Sequence, residues 1–532
     1  MRIRDQLRNG VNRVAESLEI FKKDVFELDG VPAFREYYQL SILTWLAVYK
    51  GFYAPWHVVK FQTIHDPKGK TRTLATMNAG KLACAQMARY VWNERCSITA
   101  STAGWDSEDP DPLNEFIQHV LRENRFGTAF GDLCEKSFAL GGGALKEWVE
   151  IPKDENGNDL GPGKIRISYH MASQFVPTSW NNAQVTEGIF LNREARDGFY
   201  YTTVEWHHWD GETYRVTNEV YRMPIKGTEE PQNILGWWYP LDQIYPLLSP
   251  STEIGDVHNT FFQYLKPFGA NYMDDNSPLG MAIYASAMNT LHTLDIIFDS
   301  LQREFVLGKK RIIAPARAMR KVPPINGGNV PQSYFDADDE VYEALAFDDI
   351  DSLKIHDNSV ELRVDQHIRG INGELSILCS QIGFDPGTLS FDQDSGRSVR
   401  TATEVISENS KTFSTIQAHE NNFRDALTHM VHAILELAVK YGIEWEGRSI
   451  ESMISGGYNV SVKFDDSIIQ DRAADIDEGL KLISANAMSK KRFMVKTLGY
   501  TPEEADAEIQ QIAAERKVDS QMLDTVIYSS AE

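Results

Sequence analysis

The chain has 532 residues, enough for about three or four domains at roughly 150 residues each. Hydrophobic residues make up 42% and charged residues 24%, ordinary globular values that exclude wholesale disorder. The net charge of −23, from 53 basic and 76 acidic residues, argues against a protein that grips DNA through a basic face, but not against one that lets DNA slide past.

At the N-terminus, Met-Arg-Ile-Arg-Asp-Gln lacks the apolar run of a signal peptide. Val11, Val14, Leu18, Phe21, Val25 and Leu28 are spaced 3-4-3-4-3 and predict one amphipathic helix stopped by Gly30 and Pro32. Such a helix docks on its own domain or on a neighbouring subunit. The most apolar window, Tyr37 to Tyr49, carries Gln39, Ser41 and Thr44 and is shorter than the 18 or so residues of a membrane span, so it reads as buried core. Aromatic and β-branched residues then dominate to residue 75, with Asp66-Pro67-Lys68-Gly69 read as a turn between two strands. Met77–Tyr90 and Leu113–Asn124 read as helices, the second opened by Pro110-Asp111-Pro112. Gly141-Gly142-Gly143 starts a β-rich stretch, with strands predicted at Leu145–Ile151, Lys164–Tyr169, Gly188–Asn192 and Tyr200–Trp209. Asn156-Gly157, Gly161-Pro162-Gly163 and Asp210-Gly211 are the turn signals.

Beyond residue 260 the chain turns helical. Ser277-Pro278 has the N-cap and N1 residues of a helix start, and no glycine after Gly280 interrupts before Gly308. The predicted helix is about 45 Å long at 1.5 Å per residue. No Asp, Glu, Lys or Arg occurs from Pro278 to Leu294, so this half needs neighbours, from its own domain or from copies of itself. Residues 309–353 then read as a strand-and-turn insert with a basic half (Lys309, Lys310, Arg311, Arg317, Arg320, Lys321) and an acidic half (Asp336, Asp338, Asp339, Glu340). Leu362–Ile382 reads as a second long helix with the stripe Ile368, Ile371, Leu375, Leu378, Ile382, weakened by Gly370 and Gly373. A loop with Pro386, Gly387 and Gly396 follows. Arg397 to Tyr441 then has neither Gly nor Pro and reads as one helix roughly 65 Å long, with a bend expected near Glu408–Phe413. Tyr458–Phe464 alternates as a strand, and short helices and an acidic end complete the chain.

Signatures of catalysis and metal binding fail. Gly69-Lys70-Thr71 ends like a phosphate-binding loop, but Ile64 stands where its first glycine is required. There is no G-x-S-x-G, and His419-Glu420 is followed by Phe423 where a zinc motif needs histidine. His429 and His432 share a helix face but lack a third ligand nearby, and His207 and His208 point to opposite faces of a strand. Cys84, Cys96, Cys134 and Cys379 form no close pair, which fits a reducing cytoplasm. No cofactor, metal or enzymatic activity is expected.

Two long helices bracketing an insert make a hairpin with residues 309–353 at its tip, and a ring of copies would surround such a hairpin. The blocks Ser277-Pro-Leu-Gly-Met-Ala-Ile-Tyr-Ala-Ser, Phe298-Asp-Ser-Leu-Gln-Arg-Glu-Phe-Val-Leu-Gly-Lys-Lys-Arg-Ile-Ile, Phe335-Asp-Ala-Asp-Asp-Glu-Val-Tyr and Thr401-Ala-Thr-Glu-Val-Ile-Ser-Glu-Asn-Ser-Lys-Thr-Phe carry a resemblance. So do Met77-Asn-Ala-Gly-Lys-Leu-Ala-Cys-Ala-Gln-Met-Ala and Trp92-Asn-Glu. The sequence resembles the portal proteins of tailed phages, most closely the A118-like and SPP1-like groups, over roughly residues 40–440.

The resemblance implies an α+β portal fold. Its parts would be an N-terminal wing region at 1–277, stem helices at 278–307 and 354–384, a clip at 308–353 and a tunnel loop at 385–398. A long helix and returning strand would follow at 399–470, then a helical crown and acidic end at 471–532. It implies a ring, typically of twelve copies, at one capsid vertex, through which double-stranded DNA is packaged and ejected. The expected partners are the terminase large subunit, a head–tail adaptor, the major capsid protein and a scaffold protein, with no membrane. The expected location is the virion, after assembly in the host cytoplasm. Arg397, Arg400, Asp392 and Asp394 become candidates for the DNA channel, although the two arginines would serve equally as ion-pair partners between subunits. The basic and acidic residues of the insert become candidates for partner docking. The alternative is another virion structural protein, an adaptor or minor capsid protein.

Overall fold

The computed structural model describes residues 23–32, 41–63, 66–105, 110–152, 163–182, 184–225, 231–308, 361–391, 410–465, 479–485, 487–495, 505–506 and 508–512, with five short strands inside 312–357. Helices and strands mix throughout, as expected of an α+β chain.

Lys23–Asp24 (β1) pairs with a later strand, and Val25–Glu27 turns as a 3-10 helix. The end of the predicted 11–28 helix is therefore strand and turn; residues 1–22 lie outside the described residues. The cause is tertiary. Buried Asp24 accepts from Phe26 N and Asn233 Nδ2, and Val25 N–H donates to Asn233 O, so these groups bond across to the sheet rather than along a helix. The apolar window forms α1 (Leu43–Tyr49), with Trp45 and Val48 buried. Val58–Thr63 (β2) and Asp66–Thr73 (β3) form a hairpin. The expected turn at Asp66–Gly69 belongs to β3, since Thr63 pairs with Asp66, and a bulge after Phe61 lies near Pro67, which has no N–H for the ladder.

Ala79–Val91 (α2), Ser97–Thr102 (β4) and Pro112–Glu123 (α3) follow. Asp111 caps α3 by accepting from Leu113 N and ties it to β4 by accepting from Thr102 N; such a cap stabilises by about 1 kcal/mol. Phe126–Leu140 (α4) was not anticipated. Gly127 and Gly131 lower its helix propensity, but Phe126, Phe130, Leu133, Cys134 and Phe138 make a buried stripe that outweighs them.

Gly143–Glu150 (β5), Lys164–Met171 (β6), Phe175–Asn181 (β7), Gln184–Arg196 (β8), Phe199–Asp210 (β9), Thr213–Pro224 (β10), Ile234–Tyr239 (β11), Ser251–Ile254 (β12) and Phe262–Leu265 (β13) complete the β-rich half. The large sheet runs β1-β11-β10-β9-β8-β7, with β12 also on β10, and β13-β5-β6 form a smaller sheet. The Asp210-Gly211 turn stands as predicted, with Asp210 paired to Thr213. Later come Met288–Leu307 (α5), the insert strands Ile312–Pro315 (β14), Lys321–Val322 (β15), Gln332–Ser333 (β16), Tyr342–Leu345 (β17) and His356–Asp357 (β18), then Val364–Ile382 (α6) and Ser410–Lys440 (α7).

The length of α7 has a structural reason. Its 31 residues run through the middle of the body, burying Ile416, Phe423, Leu427, Met430, Val431, Ile434 and Leu435 against α2 and the smaller sheet. Phe423 stacks on Phe138 of α4 at 5.6 Å. Tyr458–Lys463 returns antiparallel to β4, joining residues near 100 and 460.

Candidate functional site

The helical hairpin begins later than its sequence suggests. Residues 278–284 are not helical, and α5 starts at Met288 after a 3-10 turn at Ala285–Ala287. Ser277 Oγ does accept from Leu279 N, but the backbone then bonds elsewhere. Leu279 O accepts from Asn271 Nδ2, Gly280 N donates to Tyr264 Oη, and Ile283 N donates to Phe138 O. A side chain at Gly280 would meet Gly141 O at 2.4 Å, so the two glycines allow this close crossing. The uncharged stretch is thus enclosed by its own subunit: Leu279, Met281, Ala282, Tyr284, Leu291 and Leu294 are all buried.

One turn further along, two aspartates take over the buried stripe. Asp295 Oδ1 accepts from Thr76 Oγ1 and Met77 N, both at 2.8 Å, and Asp295 Oδ2 lies 3.1 Å from His57 Nε2. Asp299 receives a bidentate pair from Arg72, both contacts 2.8 Å, and a hydrogen bond from Ala75 N. Burial opposes ionisation of Asp299, yet Arg72 and the Ala75 N–H hold its carboxyl below the usual value. These residues fasten the β2–β3 segment to α5. The signal was present: Leu291, Asp295 and Asp299 share i, i+4 spacing, so two acids continue an apolar face.

At its outer end α5 exposes Phe305, Val306 and Leu307, with Val306 63% exposed, and Ile296 is exposed midway along it. Beside it α6 runs back antiparallel, burying Ile371, Leu375, Leu378 and Ile382 of the predicted stripe. The insert leaves and returns at one point. Arg363 donates from Nε and Nη2 to the two carboxylate oxygens of Glu304 at 3.1 and 2.9 Å, and Leu362 packs on Gly308. Arg363 holds the Glu304 carboxyl down at about 2. Past this clamp, β14 pairs antiparallel with the returning β18 and parallel with β17, while β15 pairs with β16.

Of the predicted docking residues, the structure describes only Lys321, at the start of β15. Lys309, Lys310, Arg311, Arg317, Arg320, Asp336, Asp338, Asp339 and Glu340 lie outside the described residues, as do Asp392, Asp394, Arg397 and Arg400. The described part of the long helix begins at Ser410, within the span expected to bend, and residues 392–409 are outside the description. The roots of that segment are fastened together. Asp385 N donates to Thr412 Oγ1 and Thr412 N to Asp385 Oδ2, Thr415 Oγ1 donates to Gly383 O, and Lys411 Nζ donates to Ser380 O.

Three of the histidines considered as ligands hold structural contacts. His419 Nδ1 accepts from Phe268 N, and burial lowers its pKa to about 3, so it stays neutral. His432 Nδ1 lies 2.7 Å from Tyr458 Oη. His207 faces inward between Glu205, 2.8 Å away, and Tyr214 Oη, 2.9 Å away, and Glu205 also pairs with Lys146 at 2.7 Å. This buried chain joins β5 of the small sheet to β9 and β10 of the large one. Neighbouring Glu147 is also buried, with no hydrogen-bond partner for either carboxyl oxygen, and burial pushes its carboxyl up to about 8. No group of three or more His, Cys, Asp or Glu among the described residues is arranged to hold a metal ion, and none of the described helices is long and apolar enough to cross a membrane.

These features define a class: an α+β body from which two antiparallel helices carry a clamped, strand-built insert. The model of the family "Phage portal protein, SPP1 Gp6-like" matches residues 27–522, and the chain belongs to that family. Its members are structural components of the phage virion. No curated protein matches the chain.

Proposed function

We propose that the chain is the subunit of a ring-shaped channel at one capsid vertex, through which double-stranded DNA is packaged and ejected. The observation that carries this reading is the set of exposed apolar side chains on the hairpin, Phe305, Val306 and Leu307 at the end that leads to the clamped insert, with Ile296 halfway along α5 and Ile377 on α6. An apolar patch of this kind marks a protein contact, and copies side by side around an axis would bury it. In this reading α5 and α6 are the stem and the insert is the clip. The clip would dock the terminase large subunit and the head–tail adaptor, and the body would meet the major capsid protein and scaffold. The loop at 385–398, fastened at its start, would face the channel, with Arg397 and Arg400 touching phosphates briefly and Asp392 and Asp394 limiting sticking. Few basic contacts suit passage, because each added phosphate contact strengthens a salt-dependent grip. Assembly would take place in the host cytoplasm.

The test is the native mass of the purified protein with electron-microscope averages viewed down the axis. A closed ring near twelve times the 60.3 kDa subunit mass, with a central opening, is expected. A chain that stays monomeric even with capsid and scaffold proteins present would overturn the channel reading in favour of an adaptor or minor capsid protein.

A further inference from the structure

We propose that the β2–β3 hairpin is an arm that packs on a neighbouring copy of this chain; the inference rests on the ring reading and adds a contact outside the helical hairpin. The hairpin stands alone. Neither β2 nor β3 has a third strand among the described residues, and two-stranded hairpins are marginal in water without a layer to cover them. Its foot is fixed firmly: Leu74 N donates to His57 O, His57 meets Asp295, and Arg72 meets Asp299. Beyond the foot the strands reach roughly 13 Å at about 3.3 Å per residue, over Lys60–Thr63. Lys60, Phe61 and Lys70 are exposed there, Phe61 by 39%, and Val58 is exposed at the foot itself. A rigidly aimed arm with uncovered edges and apolar side chains needs an occupant.

Charge selects that occupant. With Arg72 already paired to Asp299, residues 58–71 contain Lys60, Lys68 and Lys70 against one acid, Asp66, in a chain whose net charge is −23. Copies this acidic repel one another, so assembly favours places where a basic element of one meets the acidic surface of the next. Position supports the same choice. Trp56 stacks on His292 at 5.0 Å, and i+4 and i+3 spacing puts exposed Ile296 beside His292 and Asp299. The arm therefore rises from the helix face whose exposed residues are proposed to meet the next subunit. Duplex DNA is the weaker candidate, because Arg72 is engaged by Asp299 and Val58 and Phe61 suit a protein surface.

The experiment replaces Phe61 of the full chain with p-benzoylphenylalanine, assembles a mixture of light and heavy isotope-labelled chains, and maps the photocrosslinks by mass spectrometry. Crosslinks joining light to heavy chains at acidic surface segments are expected. In parallel, the variant Lys60→Glu/Lys70→Glu should need about tenfold more protein to assemble, with the circular dichroism and melting of the unassembled subunit unchanged. Crosslinks confined within one chain, for example to residues 1–22 or 33–40, would overturn the proposal, as would capture only of added duplex DNA. Wild-type rings without crosslinks between chains, or rings unaffected by the double substitution, would overturn the arm and leave the ring standing. A wild-type chain that never assembles would remove both.

Discussion

The two ends of α5 are both apolar, yet they do opposite things. The inner end, with the residues leading into it, is enclosed by its own chain, with Tyr284, Leu291 and Leu294 buried. The outer end shows Phe305, Val306 and Leu307 to solvent. Between them Asp295 and Asp299 bind Thr76, Met77, His57, Arg72 and Ala75. Apolar content alone therefore does not say whether a helix holds its own subunit together or waits for another. The polar anchors mark where one role ends and the other begins.

The contrast is tested most strongly by truncation at the two ends. Leu294→Ala should cost the subunit about 2–5 kcal/mol, seen as a lower denaturation midpoint, because the site lies inside packed core. Val306→Ser should leave subunit stability within about 0.5 kcal/mol and instead impair assembly, read by native mass. Equal losses of subunit stability would erase the distinction.

Next in size is the anchor itself. Asp299→Ala leaves Arg72 and the Ala75 N–H without their acceptor and should cost about 1–3 kcal/mol, since Arg72 is partly exposed. The folded-state pKa of Asp299 is depressed, so its contribution is present at neutral pH and is lost as pH falls below the ordinary carboxylate range. The gap between wild type and variant in chemical denaturation should therefore close in acid.

Glu147 gives an effect of opposite sign in the body. Replacing this unpaired buried carboxyl by an apolar side chain of similar length, Glu147→Met, should stabilise by about 1–3 kcal/mol near neutrality. Its folded pKa is raised from 4.5 to about 8. The wild-type contribution is thus intact below about 4.5 and erodes as pH rises through about 8, so the advantage of the variant should grow across that window. A gain independent of pH would mean that Glu147 is not the titrating group.

The smallest effect on global stability is expected at the hairpin tip. Arg363→Ala removes the bidentate clamp on Glu304, and the subunit melting temperature should hardly move. Limited proteolysis between residues 309 and 361 should nevertheless accelerate several-fold, because the two ends of the insert are no longer held together. Unchanged cleavage would assign the clamp no role in seating the insert.

Some of this was legible in the residues. Regular stripes located α6 and the strands β5, β6, β8 and β9, and Asp111-Pro112 marked the start of α3. Elements with mixed signals escaped, among them α4 with its two internal glycines and the strands β7, β10 and β11. The anchoring aspartates were missed because i, i+4 acids on a helix ordinarily face water. Only the arrival of the β2–β3 segment makes them buried acceptors.

By itself the sequence determined the family, the order of helix, insert and helix, and the periodicities that make α6 and α7 helical. The periodicities are local, because they depend on the spacing of apolar residues within one segment. Tertiary structure decided that α5 begins at Met288 instead of residue 278, because Tyr264, Asn271 and Phe138 offer the intervening backbone groups partners outside a helix. It also decided which apolar face is core and which is surface. Burial belongs to the packed arrangement of distant segments, and no single stretch of chain encodes it.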